Sequence, residues 1–379
     1  MTSYTGTKRV VIKIGSSSLT SRQGEVSTRK LERLVDDIVQ LKDEGHEVLL
    51  VSSGAVAAGY RKLGCLERPI DLPEKQAAAS IGQGLLIEAY SKVFLSHGYV
   101  ASQILITRSD FSDESRYNNA RNTINVLLER GIVPIVNEND TVTIDRLKFG
   151  DNDTLSAKVA GLVDADELII LSDIDGLYSA DPRKDPNATL LDKVHEITSE
   201  IEESAGEPGS SVGTGGMRSK IDAVKIAMAS GIPAFLGKSG VPNILLGAVN
   251  KTAKGTYFET KDDSMNLNQK KQWIAFNSGP EGVVVIDQNA KHSIMELNDG
   301  LLAGNIHEVK GRFRDGSVVR IRDLDGEEFG LGVVNYSSDQ LQKLKKDHDS
   351  VAMKKQFEKP AVEHDALVCH LEGTLPIGS

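Results

Sequence analysis

At 379 residues the chain is long enough for two cores, one large and one small. Its 39% hydrophobic and 26% charged residues are those of an ordinary soluble globular protein, and a net charge of −10 argues against a nonspecific nucleic-acid binder. The two cysteines, Cys65 and Cys369, lie far apart without ligand spacing, which argues against a disulfide framework or a structural zinc. The first residues lead straight into a strand pattern with no apolar signal segment, and no apolar run approaches membrane-spanning length. A cytoplasmic location is the expectation.

From residue 9 to 260 strand and helix patterns alternate. Arg9–Ile14 is a short β-branched run, broken by Gly15-Ser-Ser-Ser. Residues 28–44 read as a helix, with Leu31, Leu34, Val35, Ile38, Val39 and Leu41 on one face and Gly45 at its end. Glu47–Val51 is the next strand, followed by Ser52-Ser-Gly54 and a small-residue helix from Ala55. A long helix spans about 73–97. Strand runs recur at Ala101–Ile106, Ile132–Val136, Glu167–Leu171 and Ile232–Leu236. The pattern predicts an α/β fold: an open, mostly parallel sheet sandwiched by helices. Ligands on such sheets sit at the carboxyl ends of strands, and the polar segments fall there, after Ile14, Val51, Val136 and Leu171.

Residues 259–271 are polar and nearly free of apolar side chains, which predicts a linker over 261–271. Beyond it the runs Gly282–Ile286, Ser317–Ile321 and Gly330–Val334 alternate with turns, the pattern of a small C-terminal β-barrel over about 272–355. Residues 356–379 read as an irregular tail.

Four segments bear on chemistry. Gly213-Thr-Gly-Gly-Met-Arg-Ser-Lys220 opens a helical pattern of Met217, Ile221, Val224 and Met228. Such a loop is commonly only a turn, but its free N–H groups and the helix dipole also suit a phosphate. It is neither a P-loop nor a Gly-x-Gly-x-x-Gly dinucleotide loop. Lys13 ends an internal strand next to a Gly-Ser loop, where it can reach a phosphate; a solvated strand lysine is the plainer reading. Val51-Ser-Ser-Gly-Ala55 can be an N-cap, an anion site, or both. Val136-Asn-Glu-Asn-Asp140 and Gly150-Asp-Asn-Asp-Thr154 together hold four acids and three amides. They can be turns, a calcium loop lacking the full ligand spacing, or a pocket for a zwitterion in which a carboxylate orients two lysines. Leu171-Ser-Asp-Ile-Asp-Gly-Leu-Tyr178 is either a generic strand-to-turn connection or a nucleotide edge, with Ser172, Asp173 and Tyr178 near base and ribose.

Taken in order, Val11-Ile-Lys-Ile-Gly-Ser, Val51-Ser-Ser-Gly-Ala-Val-Ala-Ala-Gly, Asn137-Glu-Asn-Asp, Gly150-Asp-Asn-Asp, Gly176-Leu-Tyr-Ser-Ala-Asp-Pro and Gly213-Thr-Gly-Gly-Met-Arg-Ser-Lys resemble the amino acid kinase family in its glutamate 5-kinase branch. The resemblance covers residues 9–260, and the region after the linker looks like a PUA domain. Ser219 stands where that family often has Thr, and the tail beyond about 360 has no counterpart.

The resemblance implies ATP-dependent phosphorylation of the L-glutamate side-chain carboxylate to L-glutamyl 5-phosphate, the first step toward proline. It assigns catalysis to Lys13, Lys220 and Asp153, and glutamate binding to Ser53, Asp140 and Asn152. ATP binding falls to Lys13, Ser172, Asp173, Thr214, Gly215, Gly216, Met217, Arg218, Ser219 and Lys220. Mg2+ would be carried in by ATP, with no dedicated metal ligands on the protein. It further implies feedback inhibition by proline, a homo-oligomer (dimer or tetramer), channelling to glutamyl phosphate reductase, and no membrane partner. Aspartate, acetylglutamate, carbamate or a nucleoside monophosphate stay open as acceptors on the same fold, and an RNA-binding protein is the reading from another class. Residues 272–355 hold eleven Lys and Arg against thirteen Asp and Glu, a poor footprint for RNA despite the local cluster Lys310, Arg312, Arg314, Arg320 and Arg322.

Overall fold

The structure, a computed structural model, describes residues 6–21, 25–143, 152–182, 185–204, 216–260, 267–297, 299–346 and 359–369. It forms two compact units, Met1–Asn266 and Leu267–Ser379.

The first unit runs β1 (Arg9–Ile14), α1 (Thr28–Asp43), β2 (Glu47–Val51), α2 (Ala55–Gly59), α3 (Leu72–Ser96), β3 (Ala101–Ile106), α4 (Arg108–Ser112), α5 (Glu114–Glu129), β4 (Val133–Glu138), α6 (Asn152–Leu162), β5 (Glu167–Ser172), β6 (Lys193–Val194), α7 (Ser199–Ser204), α8 (Met217–Ala229), β7 (Ala234–Lys238), α9 (Ile244–Val249) and β8 (Thr256–Phe258). Its eight strands make one sheet in the order β3-β4-β2-β1-β5-β7-β8-β6. Neighbouring strands are parallel except β7 and β8.

Strand parity sorts the side chains. Val10, Ile12 and Ile14 of β1 join a core with Leu31, Leu34, Val35 and Ile38 of α1 and with Tyr90 and Phe94 of α3. Lys13 has the opposite parity and meets α6 instead. The central strands are buried on both faces, so their sequences are continuous apolar runs rather than alternating ones.

Two glycines set the position of α2. A Cβ on Gly82 would stand 1.8 Å from the Ala55 carbonyl oxygen, and one on Gly59 would stand 1.9 Å from that of Ala78. No side chain fits either gap. Ala55, Ala58, Ala79 and Leu86 fill the rest of this crossing of α2 and α3.

The second unit contains α10 (Gln269–Gln272), β9 (Gly282–Ile286), α11 (Gln288–Leu297), β10 (Ile306–Lys310), β11 (Val318–Arg322), β12 (Glu328–Val334), α12 (Ser338–Lys346) and β13 (Val362–Cys369). Five strands pair in the order β10-β9-β11-β12-β13, antiparallel except for β9 with β11. They enclose a core of their own that includes Val284, Ile286, Val319, Ile321, Phe329 and Leu367.

Two expectations need correction. The linker does not extend to 271: Leu267 and Gln272 are buried, and Asn268 caps α10 by accepting from the Lys271 N–H at 2.9 Å. Cap and surface residues make that stretch look linker-like in composition. Residues 261–266 lie outside the described residues. The tail is not irregular throughout, because β13 adds to β12 and buries Val362, Ala366, Leu367 and Val368. A register shift in that pairing leaves Glu363, His364 and Asp365 mid-strand, which breaks the period-2 pattern.

Candidate active site

The carboxyl ends of β1, β2, β4 and β5 bring the polar segments to one side of the sheet. At its centre lies Asp153, wholly buried at the second position of α6. Lys13 comes from β1 and forms an ion pair with Asp153 Oδ1. Lys220 comes from α8 and places its ammonium 3.1 Å from Asp153 Oδ2. Ser219 Oγ stands 2.9 Å from the same oxygen and 2.9 Å from the Gly216 carbonyl. Both lysines are only 6% exposed, so two cations and one anion share a site with little water. Burial raises the pKa of the Asp153 carboxyl, but the charges of Lys13 and Lys220 outweigh it and hold that pKa below the usual carboxylate value. The trio carries one surplus positive charge, which suits a polyanion.

Glycines shape the surrounding loops. Gly15 precedes the short 3-10 turn Ser16–Ser18, and a Cβ on it would lie 3.9 Å from Lys13 Nζ. Gly54, at φ +97°, turns the chain from β2 into α2, and a Cβ there would come within 3.3 Å of Ser16. Gly216 caps α8, so Met217, Arg218 and Ser219 form the first turn of that helix. Arg218 is engaged by Glu202 at 3.3 Å and Asp222 at 3.4 Å. Thr214 and Gly215 lie outside the described residues.

Beside the trio runs an amide network. Asn152 Nδ2 lies 2.7 Å from the Ser52 carbonyl oxygen, 2.9 Å from Ser53 Oγ and 3.0 Å from Asn137 Oδ1. Asn137 Oδ1 also accepts from the Glu138 N–H at 2.9 Å, and Asn137 Nδ2 donates to Gln83 Oε1 at 2.8 Å. Ser52 Oγ contacts the buried Tyr90 hydroxyl at 3.1 Å, which ties this strand end to α3. The structure thus joins Ser53 and Asn152. Asp140 is half-buried in the turn after β4.

On the other flank Ser172 is buried at the end of β5, with Oγ 3.1 Å from Asp173 Oδ1; Asp173 itself is exposed. Ser239, just past β7, donates its N–H to the Ser172 carbonyl at 2.7 Å. Its hydroxyl meets that of Ser18 at 2.6 Å. Ser239, Ser18, Asn137 and Gln83 are absent from the residues picked out by sequence. Asn137 stood inside a quoted motif, whereas Ser239 and Gln83 sit in segments without one.

Comparison with known proteins shows the family. The model of the amino acid kinase family matches residues 8–238, and that of the PUA domain matches residues 282–355. Glutamate 5-kinase 2 of Bacillus licheniformis is 66% identical over 371 residues, covering 98% of this chain and 99% of that protein. Glutamate 5-kinase 2 of Bacillus subtilis is 62% identical over 377 residues, covering 100% of both chains. Among solved structures, carbamate kinase from Giardia lamblia bound to AMP-PNP shares the fold at a TM-score of 0.51 and 16% identity, over 67% of this chain and 99% of that one. The chain therefore belongs to the amino acid kinase family, in its glutamate 5-kinase branch, with a PUA domain following the kinase domain.

Proposed function

We propose that the protein transfers the γ-phosphoryl group of ATP to the side-chain carboxylate of L-glutamate. The observation that carries the reading is the buried Lys13–Asp153–Lys220 trio beside the Ser53–Asn152–Asn137 network. A carboxylate oxygen of glutamate forms the new bond to phosphorus while the bond from phosphorus to the β,γ-bridging oxygen breaks, releasing ADP. That carboxylate has a reference pKa of about 4.3 and is already ionised at neutral pH, so no base is required. The need is for positive charge on the equatorial and leaving oxygens, which Lys13 and Lys220 supply. Asp153 fixes where the two ammonium groups point. The first-turn N–H groups of α8 hold phosphate oxygens, and Ser172 and Asp173 line the nucleoside side.

Glutamate fits the other half. Ser53 Oγ, already an acceptor for Asn152 Nδ2, keeps its proton for the substrate α-carboxylate. Asn152 Oδ1 and Asp140 are suited to the ammonium group. The donor set is wrong for a resident metal, since both Asp153 oxygens face cations, and Mg2+ belongs with the phosphates of ATP. Catalysis is placed in residues 1–260.

The same reading puts the reaction at the first step of proline synthesis. Proline is then an inhibitor competing with glutamate, the enzyme is a cytoplasmic homo-oligomer, and its acyl phosphate is handed to a reductase. No helix among the described residues is long and apolar enough to cross a membrane. In the second unit Arg320 and Arg322 are held by Glu328 and Lys310 by Glu308, which weighs against RNA as its ligand.

ADP release measured across glutamate, aspartate, acetylglutamate, carbamate and UMP tests the acceptor. Turnover with glutamate at least a hundredfold above the others is expected, and preference for any other acceptor overturns the reading.

A further inference from the structure

Helix α3 carries two glutamines seven residues apart, one reaching the turn after β4 and the other reaching β4 itself. Gln76 Nε2 donates to the Thr143 carbonyl at 3.0 Å, and Gln83 Oε1 accepts from Asn137 Nδ2 at 2.8 Å. Two backbone groups fix the polarity of the whole relay. The Glu138 N–H can only donate, and it faces Asn137 Oδ1; the Ser52 carbonyl can only accept, and it faces Asn152 Nδ2. With the Asn137 oxygen so assigned, its nitrogen must face Gln83, and Gln83 must present oxygen. Turning any one amide by half a rotation sets two donors or two acceptors against each other. Gly82, next to Gln83, is also the residue against which Ala55 packs. One turn of α3 therefore references both the Ser53 loop and Asn137.

We propose that Gln83 is a positioning residue for the acceptor pocket. It holds the Asn137 amide in the one sense that lets Asn152 keep its Ser52 and Ser53 contacts and turn its own oxygen toward the acceptor. It touches no substrate. The inference rests on the reading that Ser53 and Asn152 bind the acceptor.

The test compares Gln83→Met, Gln83→Glu and Asn152→Ala in the full-length protein, with KM for glutamate, KM for ATP and the thermal midpoint measured for each. Gln83→Met removes the acceptor atom at nearly constant volume and should raise the glutamate KM about tenfold while ATP KM stays within about twofold. Gln83→Glu still accepts from Asn137 and should stay within about threefold of the parent. If Gln83→Met does not fold, Gln83→Ala is measured with the same expectation. A normal glutamate KM in Gln83→Met alongside a raised one in Asn152→Ala overturns the role of Gln83 alone. A normal glutamate KM in Asn152→Ala overturns the pocket assignment and the inference together. Equal rises in both KM values for Gln83→Met would show a general structural defect and also overturn the proposal.

Discussion

The Lys220 ammonium lies 3.1 Å from Asp153 Oδ2, sixty-seven residues away in the chain. The contact joins α8 to α6, and Lys13 closes it from β1. A carboxylate that holds two lysines at once fixes the spacing between them, and on the proposed function that spacing serves the phosphate oxygens. Lys220→Ala should lower kcat by about 10²–10³ and leave the glutamate KM within about threefold, because the lost charge matters most in the transition state. Asp153→Asn should lower kcat as well, since the lysines lose their common anchor. Steady-state rates decide it: a near-normal kcat in Lys220→Ala removes that lysine from catalysis.

Gly82→Ala should be severe although Gly82 touches no substrate. The added methyl would sit 1.8 Å from the Ala55 carbonyl oxygen, a backbone atom that cannot swing aside. A loss of about 3 kcal/mol or more is expected in a denaturant titration. A stable variant with normal glutamate KM would show that α2 can shift without disturbing the Ser53 loop.

Much of this arrangement was legible in the sequence, for a physical reason. Strands β1 and β2 are internal and parallel, so Val10–Ile12 and Val48–Val51 stand out as short apolar runs with polar groups close behind them. A sheet of this type gathers polar loops at the carboxyl ends of its strands, and one of the three readings open for the acid and amide segments has a carboxylate orienting two lysines, the arrangement Asp153 makes with Lys13 and Lys220. What stayed hidden depends on tertiary crossing. Gln83 is one polar residue in a long helix, and it meets Asn137 only once α3 has packed against the sheet. Ser239 follows a short strand without a motif and gains its place by pairing with Ser18. Strand β13 was lost because charged residues interrupt its apolar positions.

Ser18 and Ser239 share one hydroxyl contact of 2.6 Å between the loop after β1 and the end of β7. Either Ser18→Ala or Ser239→Ala breaks it. Each should raise the ATP KM about three- to tenfold, and the double variant should be no worse than the poorer single one. Additive losses would mean that the two hydroxyls act separately.

Asp37 on α1 gives a pH signature distant from the catalytic residues. Burial, opposed by the Asn243 N–H and aided by Asp36, pushes its carboxyl up to about 6. The folded protein therefore holds this proton more tightly than the unfolded chain. The associated stability is fully present below 3.8, the ordinary value for this carboxyl, and is lost as pH rises through about 6. Because the group is partly solvated, the effect is discounted to about 1 kcal/mol. Asp37→Asn keeps an oxygen for the Asn243 N–H and should raise the thermal midpoint at pH 7.5 by about 2–4 °C. It should also flatten the change between pH 4 and 6. An unchanged or lower midpoint at pH 7.5 would count against the assignment.

The attack of a glutamate carboxylate oxygen on the γ-phosphorus is tested most directly by isotope transfer. Glutamate labelled with 18O in its side-chain carboxylate is incubated with ATP and the enzyme, and the product is trapped with hydroxylamine. Hydroxylamine attacks the acyl carbon and releases the phosphate with the oxygen that bridged carbon to phosphorus. The expected result is glutamyl hydroxamate in step with ADP, and one 18O in each phosphate released. ADP formed without hydroxamate, or phosphate free of label, would contradict phosphoryl transfer to the carboxylate.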